Sequence, residues 1–175
     1  MKKIILALLA ILIVVGGIFF LRNSKNTYDK SKFSAVVTPS PLKVGSSVSF
    51  TLPDQFDKAH SLNENTKILI LSFAKQSGHD VRNFLKKQPQ DYLSSKNAFF
   101  VADISPMPTV IRNAFALPDL KKSTFSVLLI YDENIAKQFK DEKKASEIMV
   151  ISLNNKKVTN ITFVKDIESL KKLID

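Results

Sequence analysis

The chain has 175 residues, a formal net charge of +10, and neither cysteine nor tryptophan. The absence of cysteine excludes a disulfide framework, a thiolate nucleophile, dithiol redox chemistry and any zinc or iron–sulfur site built on thiolates. The length suits one domain of ordinary size with an appendage, and a hydrophobic fraction of 45% is typical of a folded chain.

The N-terminal region predicts a membrane anchor. Two lysines precede an uncharged apolar run over residues 4–21, and about 18–20 such residues are the minimum that crosses a bilayer as a helix. A basic start before an apolar run is also typical of a cleaved secretory signal. Gly16 and Gly17 form only a poor cleavage pattern, and the apolar run continues beyond them. We therefore expect residues 1–21 to be a signal anchor, or transmembrane helix, and not a cleaved signal.

Basic residues lie on both sides of this run, so the positive-inside rule does not by itself place the C-terminal part outside. The signal-like architecture at the N-terminus does place it outside. We expect a single-pass protein of the inner (cytoplasmic) membrane, with the C-terminal domain facing the periplasm or the outside.

The rest of the chain predicts a tether followed by one domain. Residues 22–43 are polar and contain Pro39 and Pro41, and residues 44–175 form a domain of ordinary size. Within the domain, apolar runs predict strands over residues 48–52, 67–73, 97–104 and 125–131. Helical patterns predict helices over residues 79–87, 109–115 and 134–140, the first after a turn at 76–78 and the second closed by Leu117-Pro118.

The last elements predict that the sheet is mixed. Two apolar runs over residues 147–153 and 157–163 flank an Asn-Asn pair, which is typical of a hairpin, and residues from 167 onward have helical spacing. The whole order predicts an α/β fold with a mixed central sheet flanked by helices, preceded by one N-terminal transmembrane helix.

Three segments resemble the thioredoxin-like superfamily, in its peroxiredoxin and membrane-tethered thiol-disulfide oxidoreductase branch. Residues 44–56 (VGSSVSFTLPDQF) resemble the opening of that branch, and residues 68–74 (ILILSFA) resemble the strand that delivers its active-site loop. Residues 131–139 and the hairpin after them resemble a later segment. The resemblance covers residues 44–174 and implies a thioredoxin-like fold.

Two departures from this family bear on function. The family places a Cys-x-x-Cys pair at the start of the first main helix, where the helix dipole lowers the pKa of a thiol. Ser77 and Asp80 stand at the two cysteine positions, and Asp80 is expected to stabilise the helix start as a cap or first-turn anion. The family's cis-proline is also missing, because Glu147 or Ile148 stands in its place. The resemblance therefore implies a degenerate form without redox activity.

The degenerate loop and one further loop are the candidate partner-binding surface. The loop at 105–108 follows a buried strand at its C-terminal end, where α/β folds gather binding residues, although its prolines also suit a stiff helix entry. The candidate residues are Gln76, Ser77, Gly78, His79, Asp80, Pro106, Met107 and Pro108.

Catalytic and metal sites are not predicted. Residues 77–80 are too close in sequence to align as a nucleophile–base–carboxylate triad. The two histidines, His60 and His79, lack the soft ligands of a copper site, and His60 is expected to be an ordinary surface residue. No cofactor is expected.

The basic residues do not predict nucleic-acid binding. They are scattered, most have acidic residues nearby, and no aromatic residues are interleaved with them, which favours a solvated lysine-rich surface. Attraction to anionic lipid or to an acidic partner stays open. We expect a non-catalytic binding or accessory module of the cell envelope, with the lipid bilayer and a protein as partners. The alternative is an enzyme with a thiol-independent activity, or a redox accessory that works with a cysteine-bearing partner.

Overall fold

The computed structural model describes residues 2–26 and 28–175, without the side chains of residues 2, 3, 6 and 7. The chain begins with helix α1 (Lys2–Asn23), whose large apolar side chains are exposed. Among the described residues, no helix combines the length and the apolar character needed to cross a membrane. A helix is therefore present over residues 4–21, but its prediction as a transmembrane span is not supported. Met1, part of the predicted anchor, lies outside the described residues.

One mixed sheet organises the remainder of the chain. The strands are β1 (Ser34–Thr38), β2 (Ser47–Pro53), β3 (Ala59–Ser61), β4 (Ile68–Ser72), β5 (Ala98–Asp103), β6 (Val127–Ile130), β7 (Ile148–Asn154) and β8 (Lys157–Val164). They follow the order β1-β2-β8-β7-β4-β5-β6 in the sheet, and β3 pairs with β2. The pairs β4–β5 and β5–β6 are parallel, and the other pairs are antiparallel. The mixed α/β fold that the sequence predicts is thus confirmed.

Helices cover both faces of this sheet. The central strands read as continuous apolar runs because both of their faces are buried, and all four residues of β6 are buried. One core cluster lies beneath α6 (Glu133–Phe139) together with β1 and β2, and the other lies beneath α2 (Lys75–Leu85) and α7 (Ile167–Ile174). The helices are α2 (Lys75–Leu85), α3 (Tyr92–Ser95), α4 (Thr109–Ile111), α5 (Leu117–Leu120), α6 (Glu133–Phe139) and α7 (Ile167–Ile174).

Strand β1 lies inside the segment 22–43 that the sequence predicts to be a tether. Ala35 and Val37 are buried while their neighbours in the strand are exposed, and β1 pairs along its whole length with β2. The side-chain amide of Gln138 on α6 closes this edge, accepting from the Val37 N–H at 3.0 Å and donating to the Ala35 carbonyl at 3.0 Å. The sheet therefore begins at Ser34. The five-residue strand escapes prediction because polar residues and prolines surround it.

The segment before β1 also packs on the domain. The Tyr28 ring stacks between Phe33 and Tyr131, with centroid distances of 5.7 and 4.6 Å. The buried Arg112 guanidinium lies 4.8 Å from the Tyr131 ring centroid, on the π-helical turn Arg112–Ala116 that joins α4 to α5. The side-chain amide of Asn113 donates to the carbonyl of Asn23, the last residue of α1, at 3.0 Å and to that of Lys25, just after it, at 2.8 Å. These contacts hold the end of α1 beside the α4–α5 run.

Two predicted helix boundaries differ in the structure. Helix α2 begins at Lys75, so the turn predicted at 76–78 is its first turn. The second helix does not stop at Leu117-Pro118 but continues as α5, with Pro118 in the first turn. Proline has no N–H for a bond to the preceding turn, and the wider π-helical turn directly before α5 lets the chain pass it without a break.

Candidate functional site

A cavity of about 590 Å³ opens at the carboxyl ends of β4 and β5, between α2 and the α4–α5 run. Gly78 and His79 from the first predicted segment and Met107 from the second all line it. The fold therefore brings the two predicted segments to one site, hereafter the carboxyl-end cavity. Its lining residues are Ser72, Ala74, Lys75, Gly78, His79, Arg82, Ala102, Asp103, Ile104, Met107, Ile111, Phe115, Ala116, Asp119 and Leu120.

The residues at the two cysteine positions of the resemblance have local roles. Ser77 is buried, and its hydroxyl donates to the Ala74 carbonyl at 3.1 Å. Asp80 accepts from the side-chain amide of Gln76 at 2.9 Å. Asp80 was expected to cap the helix or to lie in its first turn, and this is wrong because α2 begins at Lys75 and no side chain caps it. Neither Ser77 nor Asp80 is among the cavity-lining residues.

The second predicted segment contributes one side chain to the cavity. Met107 is half-buried and lines it, whereas Pro106 and Pro108 are exposed and do not. Pro108 stands at the N-cap position of α4 with an extended ψ of 138°. The prolines therefore shape the entry to the helical run, and the methionine faces the site.

An ion pair between Arg82 and Asp119 links the two sides of the cavity. Arg82 on α2 is only 7% exposed, and its Nη1 donates to Asp119 Oδ2 on α5 at 2.8 Å. The hydrogen bond from the guanidinium holds the pKa of the Asp119 carboxyl below its usual value. No sequence pattern signals this pair, because 37 residues separate its members.

Asp103 is the other acidic residue of the cavity. It lies at the end of β5, and its Oδ1 accepts from the Ser105 N–H at 2.9 Å. Burial raises the pKa of Asp103, and the hydrogen bonds from Ser105 only partly offset that effect. The ionised carboxylate is therefore less favourable in the folded chain than in water.

We expect Asp103→Asn to raise the melting temperature at pH 7. An aspartate whose folded pKa is raised binds its proton more tightly in the folded state, so its contribution to stability falls as pH rises from the unfolded pKa through the folded one. Asparagine can still accept from Ser105 without that penalty. Thermal unfolding at pH 7 and pH 3 checks this prediction. A gain of equal size at both pH values would contradict it.

Gly78 lies where α2 approaches the end of β4. A Cβ at this position would lie 3.2 Å from Ser72 Oγ, which is tight for such a contact. Alanine is favoured over glycine within a helix by about 1 kcal/mol. Because the tight contact with Ser72 offsets this gain, we expect Gly78→Ala to change the free energy of unfolding by less than about 0.5 kcal/mol. In a Ser72→Ala background, where the Ser72 hydroxyl is absent, the same change should raise the free energy of unfolding by about 1 kcal/mol. Urea unfolding of the parent chain, the two single variants and the double variant checks this prediction. An equal effect of Gly78→Ala on the free energy of unfolding in both backgrounds would show that the contact with Ser72 does not matter.

The cavity combines an apolar wall with a basic edge. Ile104, Met107 and Phe115 lie on the apolar side, and Phe115 is 60% exposed at the mouth. Lys75 and His79 stand four residues apart on α2, and neither forms an ion pair within the described part of the chain. Such an arrangement can hold an apolar group beside an acidic one.

His60 is not the ordinary surface residue that the sequence suggested. Its side chain is 17% exposed, and its Nε2 lies 2.9 Å from Oδ2 of the buried Asp54. The hydroxyl of Ser126, just before β6, also lies 3.4 Å from that oxygen. His60 and Ser126 both line a second cavity, at the other end of the parallel strands.

Comparison with known proteins identifies the fold. No family model matches the chain, and no curated protein matches it. Among solved structures, a proposed protein disulfide isomerase from Bacteroides thetaiotaomicron is 16% identical, with a TM-score of 0.52 over 77% of this chain and 87% of that one. A proposed thioredoxin from Neisseria meningitidis is 18% identical, with a TM-score of 0.51 over 76% of this chain and 89% of that one. The chain has a thioredoxin-like fold, and it contains no cysteine.

Proposed function

We propose that this chain is a thioredoxin-like scaffold without a redox pair that acts as a non-catalytic binding module for a protein partner. The observation that carries the proposal is the carboxyl-end cavity, which lies beside the start of α2, where the resemblance places the cysteine pair, and contains both an apolar wall and a basic edge. The two similar structures are named as a disulfide isomerase and a thioredoxin. This chain supplies no thiol for such reactions, and we therefore assign the scaffold a binding role.

Photo-crosslinking from the cavity mouth tests this proposal. A photoreactive phenylalanine analogue at Phe115, 60% exposed, is compared with the same analogue at Phe56, which is 57% exposed in the β2–β3 turn. We expect a discrete protein adduct from position 115 in native membranes and none from position 56. The cavity-filling variant Ala116→Leu should suppress it. Equal adducts from both positions, or none from position 115, would contradict the proposal.

We also propose that α1 attaches the domain to the cytoplasmic membrane and that the domain faces the outside. Support comes from the apolar side chains that α1 exposes and from the lysines at its start. A C-terminal alkaline phosphatase fusion is expected to be active, because that enzyme folds only after export. A silent fusion, together with an active cytoplasmic reporter at the same position, would place the domain inside.

The alternative proposal is an enzyme, either thiol-independent or acting with a cysteine-bearing partner, and the similarity to redox proteins is what favours it. The full chain alone is expected to give no insulin reduction and no peroxide consumption. Turnover above buffer would contradict a non-catalytic role.

Restoring the two cysteines is not expected to restore chemistry. In the double variant Ser77→Cys, Asp80→Cys, the first thiol replaces a side chain that is 4% exposed, and thiolate reactivity requires access. We expect the thiol introduced at position 77 to react with an aromatic disulfide reagent at least about tenfold more slowly than that of the exposed control Gln90→Cys. Comparable rates would show that the start of α2 opens readily and would contradict this prediction.

A further inference from the structure

A second cavity lies at the end of the parallel strands opposite to the first. It has a volume of about 400 Å³ and opens where β5 and β6 begin, between residues that precede β4 and residues of the α2–β5 connection. It shares no lining residue with the carboxyl-end cavity. We call it the amino-end cavity.

The lining of the amino-end cavity carries no lysine, arginine, aspartate or glutamate. Charged residues make up 24% of the chain, so about three of the twelve lining residues would be charged by chance. The polar groups of the lining are hydroxyls, amides and one imidazole. A charged ligand would find no counter-charge here and would lose hydration on entering. The polar groups come from His60, Asn63, Gln90, Asn97, Thr124 and Ser126, among others.

The hydrogen bond to Asp54 selects the tautomer of the neutral His60 imidazole. Asp54 is 3% exposed, and its Oδ1 accepts the N–H groups of Phe56 and Lys58 at 2.8 and 3.1 Å. Its Oδ2 accepts from His60 Nε2 at 2.9 Å. An anionic acceptor requires the proton on Nε2, so in neutral His60 the other nitrogen, Nδ1, is an acceptor. Nδ1 has no hydrogen-bond partner among the described residues.

Other polar groups in this cavity are also free to bind. The side chains of Gln90, Asn97 and Thr124 make no hydrogen bond within the described part of the chain. Amides and the threonine hydroxyl each donate and accept, as sugar hydroxyls do. The half-buried rings of Phe99 and Phe125 add apolar surface beside them, against which the C–H face of a pyranose can pack.

We propose that the amino-end cavity binds a neutral, polyhydroxylated ligand, namely a sugar residue, with His60 Nδ1 accepting a hydrogen bond from one hydroxyl. The proposal is independent of the partner-binding role of the carboxyl-end cavity, because the two sites share no residue. It assigns His60 a binding role and Asp54 a positioning role.

Titration of the ¹⁵N-labelled full chain in phosphocholine micelles tests this. The probes are N-acetylglucosamine, its β-1,4-linked disaccharide, and maltose, with N-acetylglycinamide as an amide control. We expect saturable shifts at the backbone amides of Asn63, Asn97 and Thr124 for at least one sugar, with a Kd of about 1–10 mM. Saturation by the amide probe alone would identify an uncharged peptide as the occupant and overturn the sugar proposal.

Matched variants separate binding from folding. Asn97 has a φ of 50°, and glycine adopts this conformation without strain, so Asn97→Gly removes the side-chain amide while keeping the backbone. We expect Asn97→Gly and His60→Gln each to weaken the sugar Kd by about tenfold, and Phe115→Ser in the other cavity to leave it unchanged. No saturable sugar shift up to about 100 mM, or unchanged binding in both cavity variants, would overturn the proposal.

Discussion

Replacing Asp119 with alanine is expected to lower the free energy of unfolding by about 3 kcal/mol, because it leaves Arg82 buried without its charge partner. Arg82 is 7% exposed and donates to Asp119 at 2.8 Å. Its Nε already lacks a hydrogen-bond partner among the described residues. Once the carboxylate is removed, the 3.5 Å contact with the backbone carbonyl of residue 119 is all that the guanidinium retains within the described part of the chain.

The variant Arg82→Met is the matched control and should cost less, below about 1.5 kcal/mol. Methionine keeps much of the apolar stem volume and removes the buried charge. The carboxylate left behind is 42% exposed, so water hydrates it. Urea unfolding of both single variants and the double variant measures the difference. Equal losses in the two single variants would show that burial of Arg82 is not the source of the effect.

The same pair has a pH signature. The folded pKa of Asp119 is held below its usual value, chiefly by the hydrogen bond from Arg82. For a carboxyl with a lowered folded pKa, the added stability is present above the unfolded pKa, about 3.9, and is lost as pH falls through the folded value. The difference in free energy of unfolding between the parent chain and Asp119→Ala should therefore become smaller as the pH is lowered. A difference that stayed constant to pH 2 would exclude the ion pair as its cause.

Strands with continuous apolar runs could be predicted from the sequence, since burial on both faces dictates their composition. The predicted strands at 67–73, 97–104 and 125–131 correspond to β4, β5 and β6. Strand β1 could not be predicted because its two buried residues gain their environment only from β2 and α6. The early start of α2 was missed because no capping side chain marks it.

The candidate site was predictable only at the level of its two segments, 76–80 and 105–108. Segments that follow the carboxyl ends of neighbouring parallel strands must lie close together, and β4 and β5 are such neighbours. The groups that give the cavities their electrostatic character, Arg82 with Asp119 and His60 with Asp54, depend on how separate elements pack. The half-buried state of His60 follows from its place in β3 beside β2, and a strand of three residues gives too short a pattern to reveal it.

Replacing Asp54 with alanine is the second change with a large expected effect, again about 3 kcal/mol. The carboxylate is 3% exposed and accepts hydrogen bonds from His60 and from the N–H groups of Phe56 and Lys58. Each buried donor left without an acceptor costs about 1–3 kcal/mol. The control Asp54→Asn keeps one acceptor oxygen for the turn and should cost about half as much.

The pH dependence of the stability lost on replacing Asp54 distinguishes the contribution of its hydrogen bonds from that of its packing. Burial is the largest influence on Asp54 and raises its pKa, but the hydrogen bonds from His60, Phe56 and Lys58 together outweigh burial and lower it. Stability from the ionised carboxylate is therefore complete above the unfolded pKa of about 3.9 and is lost as pH falls through the lower folded value. Urea unfolding should show a smaller difference in free energy of unfolding between the parent chain and Asp54→Asn at pH 3 than at pH 7. If the difference in free energy of unfolding were the same at both pH values, Asp54 would act through its shape alone, and the tautomer of His60 that the sugar site requires would lose its physical basis.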